Sequence, residues 1–297
     1  MLSDELESRD GSLKLVFTTR DGFHYHDAVF YDEEQDKNKA VIASGVGCPV
    51  GCVFCMTRVM PFIRDLRKWE VRDQAVACVR CYSKLKKPEA QSRIVFAGMA
   101  DCCINRKNTV PVMDEFSFLG HQIGVHTAGI PGHFEEALQD FRSLTSKDLF
   151  DLRISLQFLG KDRERYMRGT GGYPVEVVIR LAYDFCQEIG KQLWLNHTLF
   201  KGYNDSWLYL KAVAKLAKRW AGVGVKLSPA NPCGRFVSSA PEVFRMWQTY
   251  LEDQGIPFRR ITKSYGADID ATMGRTNPLF CTPGELREAV LGAEYAL

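Results

Sequence analysis

The sequence contains no apolar run long enough to cross a membrane. None approaches the roughly 18 consecutive apolar residues of a spanning helix. Residues 1–7 are acidic and lack the apolar core of a secretory signal. Internal repeats and low-complexity segments are absent as well. We therefore expect a cytoplasmic protein without a membrane partner.

A large excess of either charge is also missing. The formal net charge is +3, with 25% charged and 45% apolar residues over 297 positions. This mild basicity is compatible with an anionic substrate but falls short of the signature of a nucleic-acid-binding protein. The composition is that of a globular protein, and one large α/β domain with small additions can accommodate the length.

Cysteine is plentiful, with ten residues. Because their spacing is irregular and no secretory signal precedes them, they are interpreted as metal ligands, reactive thiols and core residues rather than as a disulfide framework.

Short β-rich runs alternate with longer helical patterns along the chain. Six such steps predict parallel strands joined by crossover helices, in a partial (β/α)6 barrel whose site lies at the carboxyl ends of the strands. Before the barrel, 12–18 and 23–30 predict a β-hairpin and 32–38 a solvated turn. The expected domains are 1–38, 39–275 and a C-terminal tail over 276–297. The predicted strands are 40–44, 93–97, 123–127, 152–157, 192–199 and 224–227, with 258–262 as an extra one.

Three cysteines follow the first predicted barrel strand on one short loop, "GVGCPVGCVFC". Cys48, Cys52 and Cys55 are soft thiolate ligands of the kind that zinc and iron–sulfur clusters select. A structural zinc would need a fourth ligand, and Cys78 with Cys81 would bring the total to five. A [4Fe–4S] cluster held by three thiolates leaves one iron open to a ligand.

This spacing, with Phe54 before the last cysteine, resembles the signature of the radical S-adenosylmethionine (SAM) superfamily. The resemblance implies a [4Fe–4S] cluster on the three cysteines, SAM on the open iron, Phe54 near the adenine, and an electron donor such as flavodoxin or ferredoxin. A non-catalytic iron–sulfur or zinc protein with a regulatory role is the alternative.

Further motifs resemble one branch of that superfamily, the RNA adenine carbon-2 and carbon-8 methyltransferases. The order and spacing agree over roughly residues 20–275, and together the motifs are specific although each alone is weak. They are "FIRDLRKWEVRDQ" (62–74), "VFAGMADCCIN" (95–105), "VHTAG" (125–129), "ISLQ" (154–157), "GYNDS" (202–206), "LSPANP" (227–232) and "YGADIDATMG" (265–274).

Carried over residue by residue, the resemblance places the family's SAM contacts on seven positions. Ser155 and Asn231 keep the family residue, whereas His126 and Gln157 replace it and could each be ordinary satisfied polar groups at strand ends. The full set is Ala100, Asp101, His126, Ser155, Leu156, Gln157 and Asn231.

The cysteine chemistry of the family is not kept. Its methyl-carrying cysteine aligns with Met273 and its resolving cysteine with Val41, and neither side chain can form a thiolate. Cys102, Cys103 and Cys233 are candidates to take over at the barrel mouth, although burial as inert thiols is the favoured interpretation for each.

Two further features bear on the substrate. Because the chain begins almost directly at the hairpin, we expect it to lack the helical accessory domain of the RNA enzymes. Asp27 aligns with an acidic residue implicated in proton removal, and it is predicted to be a general base, with an exposed hairpin carboxylate as the alternative. A basic group after the cysteine loop could bind phosphates or form a solvated face. It comprises Arg58, Arg64, Arg67 and Lys68.

We therefore expect a radical SAM enzyme that abstracts hydrogen from a small molecule, such as a nucleoside or nucleotide, without cysteine-mediated methyl transfer. The expected outcome is oxidation, rearrangement or ring formation, with RNA disfavoured as a partner. The first alternative is a methyltransferase acting on RNA or a small molecule by a modified mechanism.

Overall fold

The computed structural model describes residues 1–271, in which one ten-stranded sheet organises the fold. The sheet order is β1-β2-β3-β4-β7-β8-β9-β10-β11-β12, and β5 pairs with β6 in a separate ribbon. The strands are β1 (Leu2–Glu7), β2 (Leu13–Thr18), β3 (His24–Asp32), β4 (Lys37–Ile42), β5 (Gly45–Val46), β6 (Arg64–Asp65), β7 (Gln91–Phe96), β8 (Gln122–Thr127), β9 (Phe150–Ser155), β10 (Trp194–Leu199), β11 (Gly224–Pro229) and β12 (Phe258–Arg260).

From β4 to β12 every neighbouring pair of strands in the large sheet is parallel. Helices follow these strands in sequence, as a crossover between parallel strands requires. The helices are α1 (Lys68–Arg80), α2 (Arg106–Phe118), α3 (His133–Phe141), α4 (Gly160–Tyr166), α5 (Val175–Glu188), α6 (Trp207–Ala217) and α7 (Pro241–Asp253).

The predicted fold class is confirmed, because the α/β chain forms a partial (β/α)6 barrel with antiparallel strands added before it. The seventh parallel strand, β12, is the extra strand that the sequence suggested. The N-terminal extension has three strands rather than two. Strand β1 escaped prediction because its sequence, "LSDELE", is largely acidic and exposed, and it forms by pairing with the buried strand β2.

The predicted solvated turn over 32–38 was too long. Strand β3 continues to Asp32 and β4 begins at Lys37, so only 33–36 form the turn. Asp32 is buried in an ion pair with Lys39, and Asn38 donates to the backbone oxygens of Lys87 and Pro88. The domain boundary placed at 38/39 falls inside β4, and the three-domain division stays a prediction.

Side chains alternate between the two faces of the sheet, as the pleat requires. One face packs against the helices and forms the main hydrophobic core, which includes Ile42, Ile94, Val125 and Leu195. The other face encloses a lumen. No helix within residues 1–271 has the length and apolar character to span a bilayer.

A segment after β12, residues 261–271, runs back to the N-terminal strands and lies along the open side of the barrel. The ring of Tyr265 stacks on Phe30 of β3 with 4.7 Å between centroids. The backbone N–H of Gly266 donates to Asp10, and Ser8 donates to Asp268. We call residues 261–271 the seam segment.

Candidate active site

The lumen forms a cavity of about 330 Å³ that opens at the carboxyl ends of the parallel strands. This is where enzymes of such architectures place their active sites. The structure brings together ten of the residues predicted from the sequence, all of which line this cavity: Cys48, Cys52, Phe54, Cys55, Ala100, Asp101, His126, Ser155, Gln157 and Asn231.

The cysteine loop follows β4 and is fixed by its backbone. Gly47 has φ +77°, and a Cβ there would lie 2.2 Å from the backbone oxygen of Pro61, so only glycine fits. Further along, the N–H of Val53 donates to the Tyr166 oxygen, and the Val50 oxygen accepts from the N–H of Gly169. These two hydrogen bonds attach the loop to the last residue of α4 and to the turn that follows this helix.

The three thiols are half-buried at the mouth of the cavity. Among residues 1–271, the one set of three possible metal-ligand atoms within 4.8 Å of one another belongs to Asp101, Cys102 and Cys103. The loop thiols are therefore spread more widely than one tetrahedral zinc allows, since Zn–S bonds of about 2.3 Å hold the sulfurs within roughly 4 Å. Three separated thiolates on one loop suit a polynuclear cluster.

Burial controls the protonation of these thiols in the protein alone. It raises the pKa of Cys48 to about 12, and the neighbouring Cys55 adds to this. The pKa of Cys52 is also raised by burial, and then by the two other loop cysteines. Metal coordination reverses this balance, because a coordinating thiol is deprotonated by the charge of the metal.

An aromatic wall stands behind the loop. The ring of Phe54 lies 4.9 Å from that of Phe200 and 5.7 Å from that of Phe158. Phe236 completes the group at 6.2 Å. This packing keeps one side of the cavity mouth apolar beside the cysteine loop.

Asp101 provides a carboxylate at the mouth. It accepts hydrogen bonds from Thr127 Oγ1 at 2.9 Å, from the Ala128 N–H at 2.7 Å and from the Cys103 N–H at 3.1 Å. The preceding residue, Ala100, has a φ of +67°, which is unusual for a residue with a side chain. Burial raises the pKa of Asp101, because it disfavours the charged carboxylate. The positive charge of a ligand ammonium would favour that charged form, so an ammonium would be a suitable partner.

Arg163 is a site residue that the sequence did not reveal. Its guanidinium is buried and donates to the backbone oxygens of Ser155, Leu156 and Ala128, which fixes two loops at the cavity mouth. Burial lowers its pKa to about 10. The polar helix sequence "GKDRERY" carries no signal that one of its arginines is buried.

His126 and Gln157, two positions at which this chain replaces the family residue, differ in their contacts. Gln157 uses its Oε1 to accept from the Thr198 N–H at 2.6 Å, as a satisfied polar group does. By contrast, both ring nitrogens of His126 are buried without a hydrogen-bond partner among residues 1–271. Burial and nearby cations lower the pKa of His126, which keeps the ring neutral.

Two predicted site residues do not line the cavity. Leu156 is part of the main core. Asp27 lies on the helix-facing side of β3, where it accepts from the Ala43 N–H at 2.8 Å and from Cys78 Sγ at 3.5 Å. It is 1% exposed, so the alternative of an exposed hairpin carboxylate is wrong. Its contacts position the backbone just before the cysteine loop, and they do not bring it to a substrate.

The candidate replacement thiols are also turned away from the cavity. Cys102 and Cys103 are buried in the core, and Cys233 Sγ contacts Met56 Sδ at 3.3 Å. Within residues 1–271, the thiols that line the cavity are those of the cysteine loop alone. Val41 does line it, packed with Val95 and with Ala271 of the seam segment. Met273 lies outside the described residues.

Sequence reasoning also missed a group of cations deeper in the lumen. Each interrupts an apolar strand pattern, as in "KNKAVI" and "DLRIS", and that interruption is the signal that could have found them. They are Lys39, Arg93, Arg153 and Lys226.

A partial barrel with three cysteines on the loop after its first strand is the arrangement of a radical SAM enzyme, and the resemblance to the RNA methyltransferase branch of that superfamily is confirmed. No family model matches the sequence. The chain is 27% identical to a probable dual-specificity RNA methyltransferase RlmN from Thermus thermophilus, over 93% of this chain and 78% of that protein.

Two other comparisons agree. A dual-specificity RNA methyltransferase RlmN from Anaeromyxobacter dehalogenans is 26% identical, over 91% of this chain and 73% of that protein. The crystal structure of a radical SAM methyltransferase from Sphaerobacter thermophilus superposes with a TM-score of 0.81 and 25% identity, over 93% and 80% of the two chains. The likeness to radical SAM enzymes implies SAM and a [4Fe–4S] cluster as cofactors.

These findings correct three expectations. The predicted non-methyl radical reaction is wrong, because the relatives are named as methyltransferases. The preference for an oxidoreductase, lyase or rearrangement class fails for the same reason. The expectation of a small-molecule substrate is overturned as well, since the relatives are named for RNA.

Proposed function

We propose that this protein is a radical SAM methyltransferase that acts on RNA. The observation that carries the proposal is the three-cysteine loop at the mouth of the lumen, in a chain similar over 93% of its length to RNA methyltransferases. The cytoplasmic location and a flavodoxin or ferredoxin as electron donor stay predictions that fit this function.

The residues at the mouth suit the two cofactors. Cys48, Cys52 and Cys55 would hold the cluster, while Asp101 would accept from the SAM ammonium and Asn231 lines the same cavity. When bound, this pair of cofactors supplies a radical that can remove a hydrogen atom from an unactivated carbon. The chain itself orients the ligand, and the wall around Phe54 excludes water.

The route of the methyl group must differ from that of the family at two positions, since the methyl-carrying cysteine aligns with Met273 and the resolving cysteine with Val41. The resolving cysteine of the family aligns with Val41, whose side chain packs among apolar residues of the lumen. Cys102, Cys103 and Cys233 do not line the cavity. We therefore propose methyl transfer without a thiol at position 41.

An exposed surface beside the cysteine loop is suited to RNA. Arg67 and Lys68 are exposed, and Phe62 and Ile63 next to them are exposed apolar residues. Cations that contact phosphates and an aromatic ring that stacks on a base are the usual elements of single-stranded RNA recognition. Arg64 is not available for this purpose, because it pairs with Asp21 and Glu70.

The test is an anaerobic reaction of the reconstituted protein with dithionite, unmodified RNA transcripts and SAM labelled in its methyl group. Transfer RNA and ribosomal RNA fragments serve as the substrates. We expect label in an RNA nucleoside and formation of 5′-deoxyadenosine, both measured by mass spectrometry.

Cys52→Ala should abolish both products, whereas Cys186→Ala, a substitution at a buried core thiol, should keep them. Formation of 5′-deoxyadenosine without label in any transcript would overturn methyl transfer. A failure of the wild-type protein to cleave SAM would overturn the radical SAM assignment itself.

A further inference from the structure

Four cations project into the lumen below the predicted cofactor residues. We call Lys39, Arg93, Arg153 and Lys226 the lumen cation cluster. They come from four different parallel strands, β4, β7, β9 and β11. Lys39, Arg93 and Arg153 are only 6%, 6% and 3% exposed, so they do not form a surface patch.

Acidic residues neutralise only part of this charge. Lys39 pairs with Asp32, while Arg93 and Arg153 share one carboxylate, that of Asp151. Within residues 1–271, Lys226 has no carboxylate within ion-pair distance. Four cations therefore face two acids.

The rest of the cavity lining compensates for only part of this difference. Across the described residues, the lining carries six Lys or Arg side chains and three Asp or Glu. Asp151, which pairs with two of the cations from the edge of the cavity, raises the acids to four. Glu33, which pairs with Lys263, raises them to five. The lumen thus keeps an excess of one positive charge.

Strand register places unsatisfied polar groups among these cations. His126 is the neighbour of Arg153 across β8 and β9, and Asn196 is the neighbour of Lys226 across β10 and β11. Both His126 nitrogens and Asn196 Oδ1 are buried without a hydrogen-bond partner in the described part of the chain. These residues line the same cavity, and the pKa of His126 is lowered by burial and then by all four cations of the cluster, so the groups lie in one region of the lumen.

An arrangement of this kind is costly unless a ligand completes it. Burying an uncompensated cation costs several kcal/mol, and a buried polar atom without a partner adds to the cost. The effect is visible at Lys226, where burial first and then the three other cations of the cluster lower the pKa well below its usual value. An anion in the lumen would offset both penalties.

We propose that the lumen cation cluster binds one phosphate-type oxyanion, with Lys226 as its principal charge partner and His126 and Asn196 as hydrogen-bonding partners. The positive charge that the carboxylates leave over favours an anion, and the several acceptor oxygens of a phosphate group can accept from more than one of these cations. Arg93 and Arg153 add planar donors that suit tetrahedral oxyanions.

This inference goes beyond methyl transfer, because anion binding needs no reductant and no turnover. The enclosed position of the cluster excludes an RNA duplex and admits only a small oxyanion or a phosphate on a single extruded nucleotide. The phosphate can thus come from a free or terminal phosphate group or from a phosphodiester of RNA.

The test is the thermal stability of the full reconstituted chain, without reductant, in inorganic phosphate against chloride of equal ionic strength. Phosphate should raise the Tm of the wild-type protein, because a ligand that binds only the folded state stabilises it. Lys226→Met should have a higher Tm than wild type in chloride, since it removes an uncompensated charge, and should lose at least tenfold in phosphate affinity by calorimetry.

The matched control is Lys211→Met, which removes an exposed lysine on α6 and should respond to phosphate as the wild type does. No shift of the wild-type Tm by phosphate, or an equal shift in Lys226→Met, would overturn the proposal. If Lys226→Met does not fold, the wild-type protein is treated with an amine-acylating reagent, and the extent of Lys226 acylation is compared with and without phosphate. Protection of Lys226 but not of Lys211 supports the site, and equal labelling refutes it.

Two further ligands separate the sources of the phosphate. Adenosine 5′-monophosphate carries a terminal phosphate, and the dinucleotide ApA carries only a phosphodiester. If only the monophosphate binds in a Lys226-dependent way, the site takes terminal or free phosphate. Lys226-dependent competition by ApA assigns the site to a phosphodiester of RNA.

Discussion

At the scale of single residues, side chains of one chemical type divide by the face of the sheet that they occupy. Asp101 and Asp27 are both buried carboxylates with backbone N–H donors, yet only Asp101 lines the cavity. The cysteines divide in the same way, because Cys48, Cys52 and Cys55 reach the mouth while Cys78 and Cys186 lie in the core. Residue type alone therefore does not identify the chemistry.

The first residue-scale prediction concerns Asp27. Burial raises its pKa well above the usual value, so the folded state favours the protonated form. Its stabilising contribution is therefore complete below the unfolded pKa of about 3.9 and is lost as the pH rises through the folded value. Asp27→Asn keeps an acceptor for the Ala43 N–H and does not ionise. We expect the variant to gain stability relative to wild type as the pH rises from about 4 to 8.

Urea unfolding at several pH values measures this difference. Asp253→Asn, at an exposed position at the end of α7, serves as the control and should show no such trend. A stability difference between Asp27→Asn and wild type that is independent of pH would mean that the burial of Asp27 does not perturb its titration.

At the scale of elements, the cysteine loop depends on backbone geometry as much as on its thiols. The ribbon of β5 and β6 holds the two ends of the loop together, with Gly45 opposite Asp65. Gln74 of α1 binds both backbone groups of Ala43, at 3.3 Å to the N–H and 2.8 Å to the oxygen. These contacts direct the chain from β4 into the loop.

The second prediction compares two glycines of this loop. Gly47 and Gly51 both have positive φ, at +77° and +61°, but a Cβ at Gly51 would meet nothing within 4 Å. Gly51→Ala should therefore cost about 1–2 kcal/mol for its left-handed conformation alone. Gly47→Ala should cost more and displace the loop, because its Cβ would lie 2.2 Å from the Pro61 oxygen.

Iron and sulfide content after reconstitution, together with Tm, distinguishes the two variants. We expect Gly51→Ala to load nearly as well as wild type and Gly47→Ala to load poorly. Equal loading of both variants would show that the loop does not need its close approach to Pro61.

At the scale of the whole molecule, the two edges of the parallel part of the sheet are covered in different ways. Strands β1 to β3 continue it from β4, while the seam segment joins the region after β12 to the turns of the N-terminal strands. The lumen is therefore enclosed by parts of the chain that are more than 200 residues apart in sequence.

The third prediction concerns this closure. Tyr265→Ala removes the stacked pair with Phe30 and should lower the stability of the protein by at least about 1 kcal/mol. It should also increase hydrogen exchange of β3 amides, since the seam segment no longer covers that strand. Tyr250→Ala, which removes an aromatic contact with Trp207 on the outer surface, is the matched control. Equal exchange of β3 in both variants would show that the seam segment does not stabilise the N-terminal strands.

The sequence by itself determined the class of fold, the order of the parallel barrel strands and the three-cysteine loop. These are set by local patterns: apolar periodicity decides helix or strand, and three soft ligands within one loop need no distant partner. The motifs that resemble the methyltransferase branch also predicted Asp101, Ser155 and Asn231 as site residues, and all three line the cavity. They did not predict the reaction, because Val41 and Met273 lack the thiols that the family uses, while the similarity of the whole chain is to methyltransferases.

Only the tertiary structure decided which side chains face the lumen. A shift of one residue in a strand moves a side chain to the opposite face, so the burial of Asp27 beside Cys78 could not be deduced from spacing. The lumen cation cluster is the clearest case. Its four residues are distant in sequence, and they are Lys39, Arg93, Arg153 and Lys226. They line one cavity because each points inward from a parallel strand, and these strands curve around a common axis.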